Sequence, residues 1–207
     1  VPKIAPTLLR VENLKVYFPV RKSLMGKILK EAKAVDDVSF FVERGETLGL
    51  VGESGCGKTT LGRVLIRLIK PTAGNIFFNG QNIAHISGEQ MRKMRKEIQI
   101  IFQDHYGSLN PRLTIGQAIN EPMKIHEILP GEKLRKEKIM ELLQKVDLKP
   151  EHFNRYPHEF SGGQRQRICI ARVLSLNPDF IICDESVSAL DVSVQAQVLN
   201  LLNELKD

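Results

Sequence analysis

Residues 52–59 read Gly-Glu-Ser-Gly-Cys-Gly-Lys-Thr, and they lie between a short apolar run at 47–51 and a segment whose apolar residues have helical spacing. The stretch fits the pattern G-x-x-x-x-G-K-[ST] in the strand–loop–helix context that this pattern requires. Its glycines allow successive backbone N–H groups to turn towards one phosphate chain, and a helix N-terminus adds partial positive charge. The stretch therefore predicts a phosphate loop in an α/β nucleotide-binding core.

The residues of this loop have separate expected roles in binding ATP. Lys58 would neutralise charge shared by the β- and γ-phosphates, the Thr59 hydroxyl would bind Mg²⁺, and Thr60 would support the α-phosphate. The other loop residues that would contact the nucleotide are Gly52, Glu53, Ser54, Gly55, Cys56 and Gly57. A Gly-rich turn without a ligand is the alternative interpretation, and a second element of the same site weakens it.

That second element is the apolar run 180–183, which is followed directly by Asp184 and Glu185. A strand buried on both faces of a parallel sheet reads as an unbroken apolar run, and ligands gather at the carboxyl ends of such strands. We expect Asp184 to hold Mg²⁺ and Glu185 to polarise the water that attacks the γ-phosphate. A solvated acidic turn is the alternative.

The remaining pattern predicts further strands and helices around these two elements. Strands are expected at 7–18, 34–42, 47–51, 75–79 and 98–102, and helices at 59–69, 87–96, 161–174 and 192–206, with a mainly helical region at 111–160. We divide the chain into residues 1–103, an antiparallel β subdomain with the first part of the core; 104–160, a helical insertion; and 161–207, the rest of the core.

The charge of the chain is concentrated in one segment. The 207 residues include 30 Lys or Arg and 24 Asp or Glu, a net charge of +6, and residues 1–33 alone hold eight basic and two acidic side chains. The basic character is therefore not spread over a nucleic-acid-binding surface, and we expect no nucleic-acid partner. Within this segment, residues 21–33 are interpreted as a solvated hairpin loop in preference to a contact with lipid headgroups or a membrane subunit.

The cysteines and the apolar runs indicate the redox compartment of the protein and whether a membrane-spanning helix is expected. The cysteines are Cys56, Cys169 and Cys183, without a CxxC pair, which favours a reducing compartment and places the last two in the core. No run of about 18 apolar residues is present, so no membrane-spanning helix is predicted.

Residues 160–167, Phe-Ser-Gly-Gly-Gln-Arg-Gln-Arg, resemble the signature sequence of ATP-binding cassette (ABC) ATPases. Gln103 after an apolar run is similar to the family's Q-loop, and residues 188–191 are similar to its D-loop. The resemblance implies an α/β fold, a P-loop NTPase ABC-cassette core with an N-terminal antiparallel β subdomain and an inserted α-helical signature subdomain. It also implies that Gln103 binds Mg²⁺ and senses the γ-phosphate.

In this family two cassettes pair head to tail, and the signature of one closes over the nucleotide that the other binds. The residues expected to act across the dimer are Ser161, Gly162, Gly163 and Gln164, with Asp191 coupling the two sites. A serine followed by glycines at a helix start is in itself an anion site. An aromatic side chain of the family stacks on adenine; Phe18 fits this place best and Tyr17 is the second candidate, while a core role is the alternative for either.

Residues 103–112 and 188–197 resemble the ATPases of oligopeptide, dipeptide and nickel importers, in particular their F-type subunit. This resemblance implies a peripheral protein on the cytoplasmic face of the cell membrane. Its partners would be a second ABC subunit, two transmembrane permease subunits docking at residues 103–125 and, indirectly, a substrate-binding protein. The transported substrate and the choice between a homodimer and a heterodimer stay open.

An ABC ATPase of DNA repair or of the ribosome is the alternative function. Repair ATPases insert long coiled coils between the phosphate loop and the signature, but the 103-residue interval from Lys58 to Ser161 has no heptads. Ribosome-associated members carry two cassettes, and one set of motifs is present.

The sequence departs from the family at three points. Phe160 stands where Leu is usual, Ser186 stands where Pro is usual, and the switch histidine of the family is missing, since 16 residues follow Asp191 and none is His. We therefore expect a C-terminally truncated cassette that binds nucleotide but turns it over weakly.

Overall fold

The structure is a computed structural model, and it describes residues 7–22, 28–104 and 106–184. The chain forms two compact units, residues 1–92 and 93–207. The expected helix at 192–206 and the site residues Glu185 and Asp191 lie outside the described residues.

The first unit is built on a four-stranded antiparallel sheet. Its strands are β1 (Thr7–Lys22), β2 (Ile28–Glu43), β3 (Ala73–Phe78) and β4 (Gln81–Asn82), in the order β2-β1-β3-β4. Alternate residues of β1 face the core, so Leu9 pairs with Phe78 and Val11 with Ile76, all buried. The strands predicted at 7–18, 34–42 and 75–79 are confirmed.

The β1–β2 hairpin is longer than the sequence predicts. β1 continues to Lys22 and β2 begins at Ile28, so most of the basic segment 21–33 lies in strands and is not a loop. Pairing continues between Phe18 and Ala32 and between Pro19 and Glu31, where the sequence has no regular alternation of apolar residues. The main-chain ladder alone therefore extends the hairpin.

Helix α1 (Lys58–Leu65) follows the phosphate loop and buries Leu61, Val64 and Leu65. It ends four residues before the predicted end at Ile69, because Arg67 has a left-handed φ of 58°. The N–H groups of Leu68 and Ile69 then donate to the Arg63 carbonyl at 2.9 and 3.3 Å, which closes the last turn.

The prediction of a strand at 47–51 is wrong. These residues have no regular secondary structure in the described part of the chain, and Leu48, Leu50 and Val51 are 48, 54 and 95% exposed. A strand requires a neighbour that satisfies its backbone N–H and C=O groups, and neither of the described sheets includes this segment. Its apolar side chains therefore remain at the surface of the described structure.

Helix α2 (Gly88–Met94) lies at the point in the sequence where the two units divide. In its described residues, the second unit contains a two-stranded parallel sheet, β5 (Ile98–Ile101) with β6 (Phe180–Cys183). The same residues form three helices, α3 (Ile115–Ile125), α4 (Glu132–Lys145) and α5 (Gly162–Leu174). Short 3₁₀ helices at Pro150–Asn154 and Pro157–Glu159 lead into α5. The predicted helical region, the helix at 161–174 and the strands at 98–102 and 180–183 are confirmed.

The helices of the second unit share one apolar core. Its fully buried members include Ile115, Ile119, Met123, Ile139, Leu143 and Ile168. Gly116 lies against Phe153, whose ring is 2.4 Å from the position that a Cβ at residue 116 would occupy. This close approach requires glycine at that point of α3.

Two burial predictions in this unit are wrong. β6 is only partly buried, and the Cys183 side chain is exposed, whereas Cys169 is buried as expected. Among the described residues, β6 pairs with one neighbour, β5, so one of its edges is not covered by a strand. None of the described helices combines the length and apolar character that crossing a membrane requires.

Candidate functional site

The lysine of the phosphate loop donates hydrogen bonds to the main chain of the loop itself. The Lys58 ammonium donates to the carbonyl oxygens of Gly52 at 2.8 Å and Glu53 at 2.7 Å, and it lies 3.8 Å from the Cys56 sulfur. The Cys56 N–H donates to the Glu53 carbonyl at 3.3 Å, which curls the middle of the loop. The sequence-predicted loop thus has a defined geometry, and its lysine cation occupies the concave side.

Two glycines give this loop its shape. Gly57, the N-cap of α1, has φ 103°, and a Cβ there would lie 2.2 Å from the Ala34 carbonyl oxygen. A Cβ at Gly52 would lie 2.6 Å from the Cys56 sulfur. A side chain at Gly57 would therefore displace the backbone, whereas one at Gly52 would displace the Cys56 side chain.

The loop fits a polyphosphate. Residues 52–56 are exposed, and the first turn of α1 contains Lys58, Thr59 and Thr60 with no acidic side chain. Backbone N–H groups at a helix start, a lysine and two hydroxyls together form a site for a chain of phosphate groups. These are the residues expected to contact ATP.

The aromatic candidates lie on the sheet beside this loop. Gly57 contacts the main chain of Ala34 in β2, and Ala32, two residues along the same strand, pairs with Phe18 of β1. Two residues of a strand span about 7 Å. The register therefore brings the backbone of Phe18 close to the end of the phosphate loop, and its side chain is 39% exposed.

Tyr17 is held by a polar network. Its hydroxyl donates to Asp36, and Lys33 donates to the same carboxylate at 3.1 Å while its ammonium lies 5.2 Å from the centroid of the Tyr17 ring. The hydrogen bond to Asp36 raises the pKa of Tyr17, and hydrogen bonds from Tyr17 and Lys33 lower the pKa of Asp36. Tyr17 is thus engaged within the sheet, which favours Phe18 as the stacking residue.

In the second unit, Gln103 and Asp184 follow the carboxyl ends of neighbouring parallel strands. β5 and β6 pair from Ile98 with Phe180 to Ile101 with Cys183, and the Asp184 N–H donates to the Ile101 carbonyl at 3.0 Å. Asp184 is buried and Gln103 is exposed. Carboxylate and amide oxygens are ligands suited to Mg²⁺, so this edge of the sheet fits the expected ion.

The signature begins with a capping box. Ser161 is the N-cap of α5; its hydroxyl oxygen accepts from the Gln164 N–H at 3.3 Å, and the Gln164 side chain accepts from the Ser161 N–H at 3.1 Å. Gly162 and Gly163 form the first turn between them. The Ser161 hydroxyl acts here as an acceptor, so its own proton is available to a second acceptor.

Three arginines of α5 were missed by sequence reasoning. Arg165 donates to the Pro157 carbonyl at 2.8 Å and stacks over the Tyr106 ring at 3.9 Å, and Arg172 donates to the Ser108 carbonyl. Arg167 donates to the Val146 carbonyl and pairs with Asp147 at 3.1 Å. The spacing of Arg165 and Arg172, seven residues on a helix, was a usable signal, because it places both on one helix face.

The predicted site residues that the structure describes therefore form two groups, one in each unit. The phosphate loop and the aromatic candidates lie together in the first unit, and Gln103, Asp184 and the signature lie in the second. Glu185 and Asp191 are outside the described residues.

Curated proteins similar to this chain are named as ATP-binding proteins of oligopeptide transport and of glutathione import. The chain is 56% identical over 202 residues to the oligopeptide transport ATP-binding protein AppF of Bacillus subtilis (strain 168), covering 97% of this chain and 61% of the relative. It is 55% identical over 199 residues to the glutathione import ATP-binding protein GsiA of Escherichia coli (strain K12), covering 96% of this chain and 32% of the relative. The chain thus spans less than two thirds of either relative.

Solved structures share the fold. A dimeric post-hydrolysis state of the ATP-binding cassette MJ0796 bound to ADP and Pi matches with a TM-score of 0.85 at 26% identity, covering 97% of this chain and 83% of that one. The cassette cbiO1 from Clostridium perfringens, part of the transporter complex cbiONQ, matches with a TM-score of 0.78 at 26% identity, covering 97% of this chain and 74% of that one. The expected α/β cassette fold is confirmed. A family model described as ABC transporter matches residues 35–188, and the chain therefore belongs to the ABC transporter family.

Proposed function

We propose that this chain is the ATP-binding and ATP-hydrolysing part of an ABC importer subunit that powers the uptake of oligopeptides or dipeptides. The observation that carries the proposal is the phosphate loop, in which Lys58 bridges the Gly52 and Glu53 carbonyls at the start of α1. The relatives AppF and GsiA, named for oligopeptide transport and glutathione import, favour peptide uptake over DNA repair or ribosome function.

Binding of ATP would exchange one set of Lys58 contacts for another. The ammonium leaves the two loop carbonyls and neutralises the β- and γ-phosphates, while the backbone N–H groups of the loop bind the phosphate oxygens. Thr60 supports the α-phosphate, and Phe18 stacks on adenine. Because the loop already has the required curvature, binding needs little reorganisation of the main chain.

The second part of the site acts on the γ-phosphate. Thr59, Gln103 and Asp184 would hold Mg²⁺, which supplies charge neutralisation between the phosphates when it is bound. Glu185 would take a proton from the attacking water. Lys58 and Gln103 are the further residues assigned to catalysis, since both would contact the reacting phosphate.

The signature would act on the nucleotide of a second cassette. With its oxygen accepting from the Gln164 N–H, Ser161 can donate its proton to a γ-phosphate oxygen. The N–H of Gly163 in the first turn and the side-chain NH₂ of Gln164, whose amide oxygen accepts from the Ser161 N–H, would add further donors. Gly162, which has no side chain, would allow the signature to come close to that nucleotide, and Asp191 would couple the two sites. The MJ0796 cassette is dimeric in its post-hydrolysis state with ADP and Pi, which supports the pairing of two cassettes.

In the assembly that we propose, the cassette is peripheral on the cytoplasmic face of the cell membrane. Its partners are a second ABC subunit, two transmembrane permease subunits that dock at residues 103–125 and a substrate-binding protein. No nucleic acid takes part, because the net charge of the chain is contributed by residues 1–33.

Isolation of the full-length protein from membranes tests this function. We expect it to be recovered in detergent with two membrane subunits, and the reconstituted complex to take up labelled oligopeptide only with ATP and Mg²⁺. A complex carrying Lys58→Ala is the matched control and should assemble without driving uptake. Recovery with nucleic acid or ribosomes, or peptide uptake that continues in the Lys58→Ala complex, would contradict the proposal.

A further inference from the structure

The segment that follows Gln103 is locked internally by one aspartate. The Asp104 carboxylate accepts the N–H groups of Tyr106 at 2.9 Å and Gly107 at 3.0 Å, and the Asp104 carbonyl accepts the Ser108 hydroxyl. A Cβ at Gly107 would lie 2.6 Å from the Asp104 carboxylate, so a larger residue there would displace this side chain from its two N–H donors. We call residues 103, 104 and 106–109 the glutamine segment. Its contacts make it a compact turn.

Two arginines of α5 fasten the glutamine segment to the signature helix. The Arg165 guanidinium lies 3.9 Å from the centroid of the Tyr106 ring, and Arg172 donates to the Ser108 carbonyl two turns further along the helix. Leu109, the last residue of the segment, is buried in the core that α5 also forms. A displacement of the segment would therefore displace α5.

Arg165 also holds the chain that leads into the signature. Its Nε donates to the Pro157 carbonyl at 2.8 Å, and its own backbone N–H donates to the Ser161 carbonyl at 2.9 Å as the first hydrogen bond of the helix. The residue Arg165 is 9% exposed, whereas Tyr106, whose ring stacks on it, is 70% exposed. A buried cation thus contacts the approach to Ser161 on one side and the glutamine segment on the other.

We propose that Arg165 is a positioning residue for the signature, which through its stack on Tyr106 couples the position of the glutamine segment to that of the first turn of α5. This inference rests on the proposed function, in which Gln103 contacts the γ-phosphate of its own cassette and Ser161 contacts that of the second. The contact makes the signature of a cassette respond to the nucleotide bound by that same cassette. Arg165 contacts no nucleotide itself.

Variants of Tyr106 test the coupling, because this exposed residue can be changed without disturbing the core. Tyr106→Leu removes the aromatic face, and Tyr106→Phe retains it. The matched control is Lys136→Gln, which removes another cation–π contact of the same unit, Lys136 over Phe153 at 5.5 Å. Arg165→Lys is a second variant that keeps the charge and loses the planar stack.

Turnover of the full-length protein in its transport complex is the first measurement. In Tyr106→Leu we expect kcat to fall about three- to thirtyfold, the range that loss of one cation–π contact supports, while KM for ATP stays within about twofold. Tyr106→Phe and Lys136→Gln should retain the wild-type kcat within about twofold. Unchanged kcat in Tyr106→Leu, or an equal loss in Tyr106→Phe, would overturn the proposal.

Hydrogen exchange separates this proposal from the proposed function. Without nucleotide, the amides of residues 164 and 165, which donate to Ser161, should exchange about three- to thirtyfold faster in Tyr106→Leu and Arg165→Lys than in wild type, and those of Lys136→Gln should not. A wild-type protein that neither binds nor hydrolyses ATP would contradict the proposed function. The exchange rates would still show whether the stack of Arg165 on Tyr106 holds the first turn of α5 in place. Equal exchange in wild type and both variants would refute the coupling.

Discussion

The backbone N–H of Asp184 donates to the carbonyl oxygen of Ile101 at 3.0 Å, one step beyond the last pair of the β5–β6 ladder. Ile101 precedes Gln103 by two residues, so this hydrogen bond brings the starts of two functional loops to one edge of the sheet. It uses the main chain of Asp184, so this hydrogen bond does not depend on the carboxylate.

Asp184→Asn should therefore keep the fold and lose metal-dependent activity. The amide retains the shape of the side chain and the main-chain bond to Ile101, but it removes the negative charge that favours Mg²⁺. We expect the Mg²⁺ concentration for half-maximal ATP hydrolysis to rise at least about tenfold, with the melting temperature unchanged. A metal titration of hydrolysis checks this, with Asp179→Asn, an acid on the same unit, as the control. An unchanged Mg²⁺ dependence would remove Asp184 from the metal site.

Lys58→Ala should weaken ATP binding by about 10- to 100-fold, the range for loss of a hydrogen bond to a charged group. The variant also removes the two hydrogen bonds from the ammonium to the loop carbonyls, so Lys58→Arg is included to keep the charge. Equilibrium binding of a fluorescent ATP analogue measures the effect. Lys70→Ala, an exposed lysine of the same unit, should bind as wild type does, and equal affinities for Lys58→Ala and Lys70→Ala would contradict the assignment.

Gly57→Ala should destabilise the first unit more than Gly45→Ala does. Both glycines have positive φ, 103° and 75°, but a Cβ at residue 57 would lie 2.2 Å from the Ala34 carbonyl oxygen, whereas no atom lies within 4 Å of one at residue 45. Gly45→Ala therefore measures the backbone cost alone, about 1 kcal/mol, and Gly57→Ala adds about 1–3 kcal/mol for the collision. Urea unfolding compares the two, and equal losses would show that the loop moves away freely.

The residues of the phosphate loop and of the signature could be predicted because their roles depend on local conformation. Gly57 is needed for a left-handed turn and Ser161 for a capping box, and both requirements are visible in a few consecutive residues. The strand 180–183 was visible for the same reason, as a short apolar run before two acids.

The features that were missed depend on distant residues. Residues 47–51 are apolar enough for a strand, but strand formation requires a neighbour that the run itself does not specify. The stack of Arg165 on Tyr106 joins residues 59 positions apart, and neither residue is unusual where it stands. The full length of the β1–β2 hairpin arises from main-chain pairing, which leaves no pattern in the side chains.

Phe18→Ala should weaken ATP binding about tenfold, since stacking of a base on an aromatic ring is worth about 1–3 kcal/mol. Phe18→Trp should retain affinity because it keeps a π-face. Tyr17→Phe is the control, since it removes the hydrogen bond to Asp36 and keeps the ring. Binding of a fluorescent ATP analogue to these variants and to Tyr17→Ala distinguishes the candidates, and a larger loss in Tyr17→Ala than in Phe18→Ala would reverse the assignment.

Cys169 should make the protein less stable at alkaline pH. Burial raises the pKa of this thiol to about 11, against an ordinary value of 9.0, with Arg172 lowering and Asp104 raising it to a smaller extent. Between pH 9 and 11 the unfolded chain has lost this proton while the folded chain keeps it, so the free energy of unfolding falls as pH rises through this window, by about 2–3 kcal/mol in all.

Urea unfolding from pH 8 to pH 11 measures that loss. Cys169→Ala removes the titrating group and should show a shallower decline than wild type, although its stability at pH 8 is lower because the buried site loses the sulfur. Other groups titrate over the same range in both proteins, so the difference in slope isolates Cys169. Parallel curves for wild type and Cys169→Ala would mean that the thiol ionises as readily in the folded protein as in the unfolded chain.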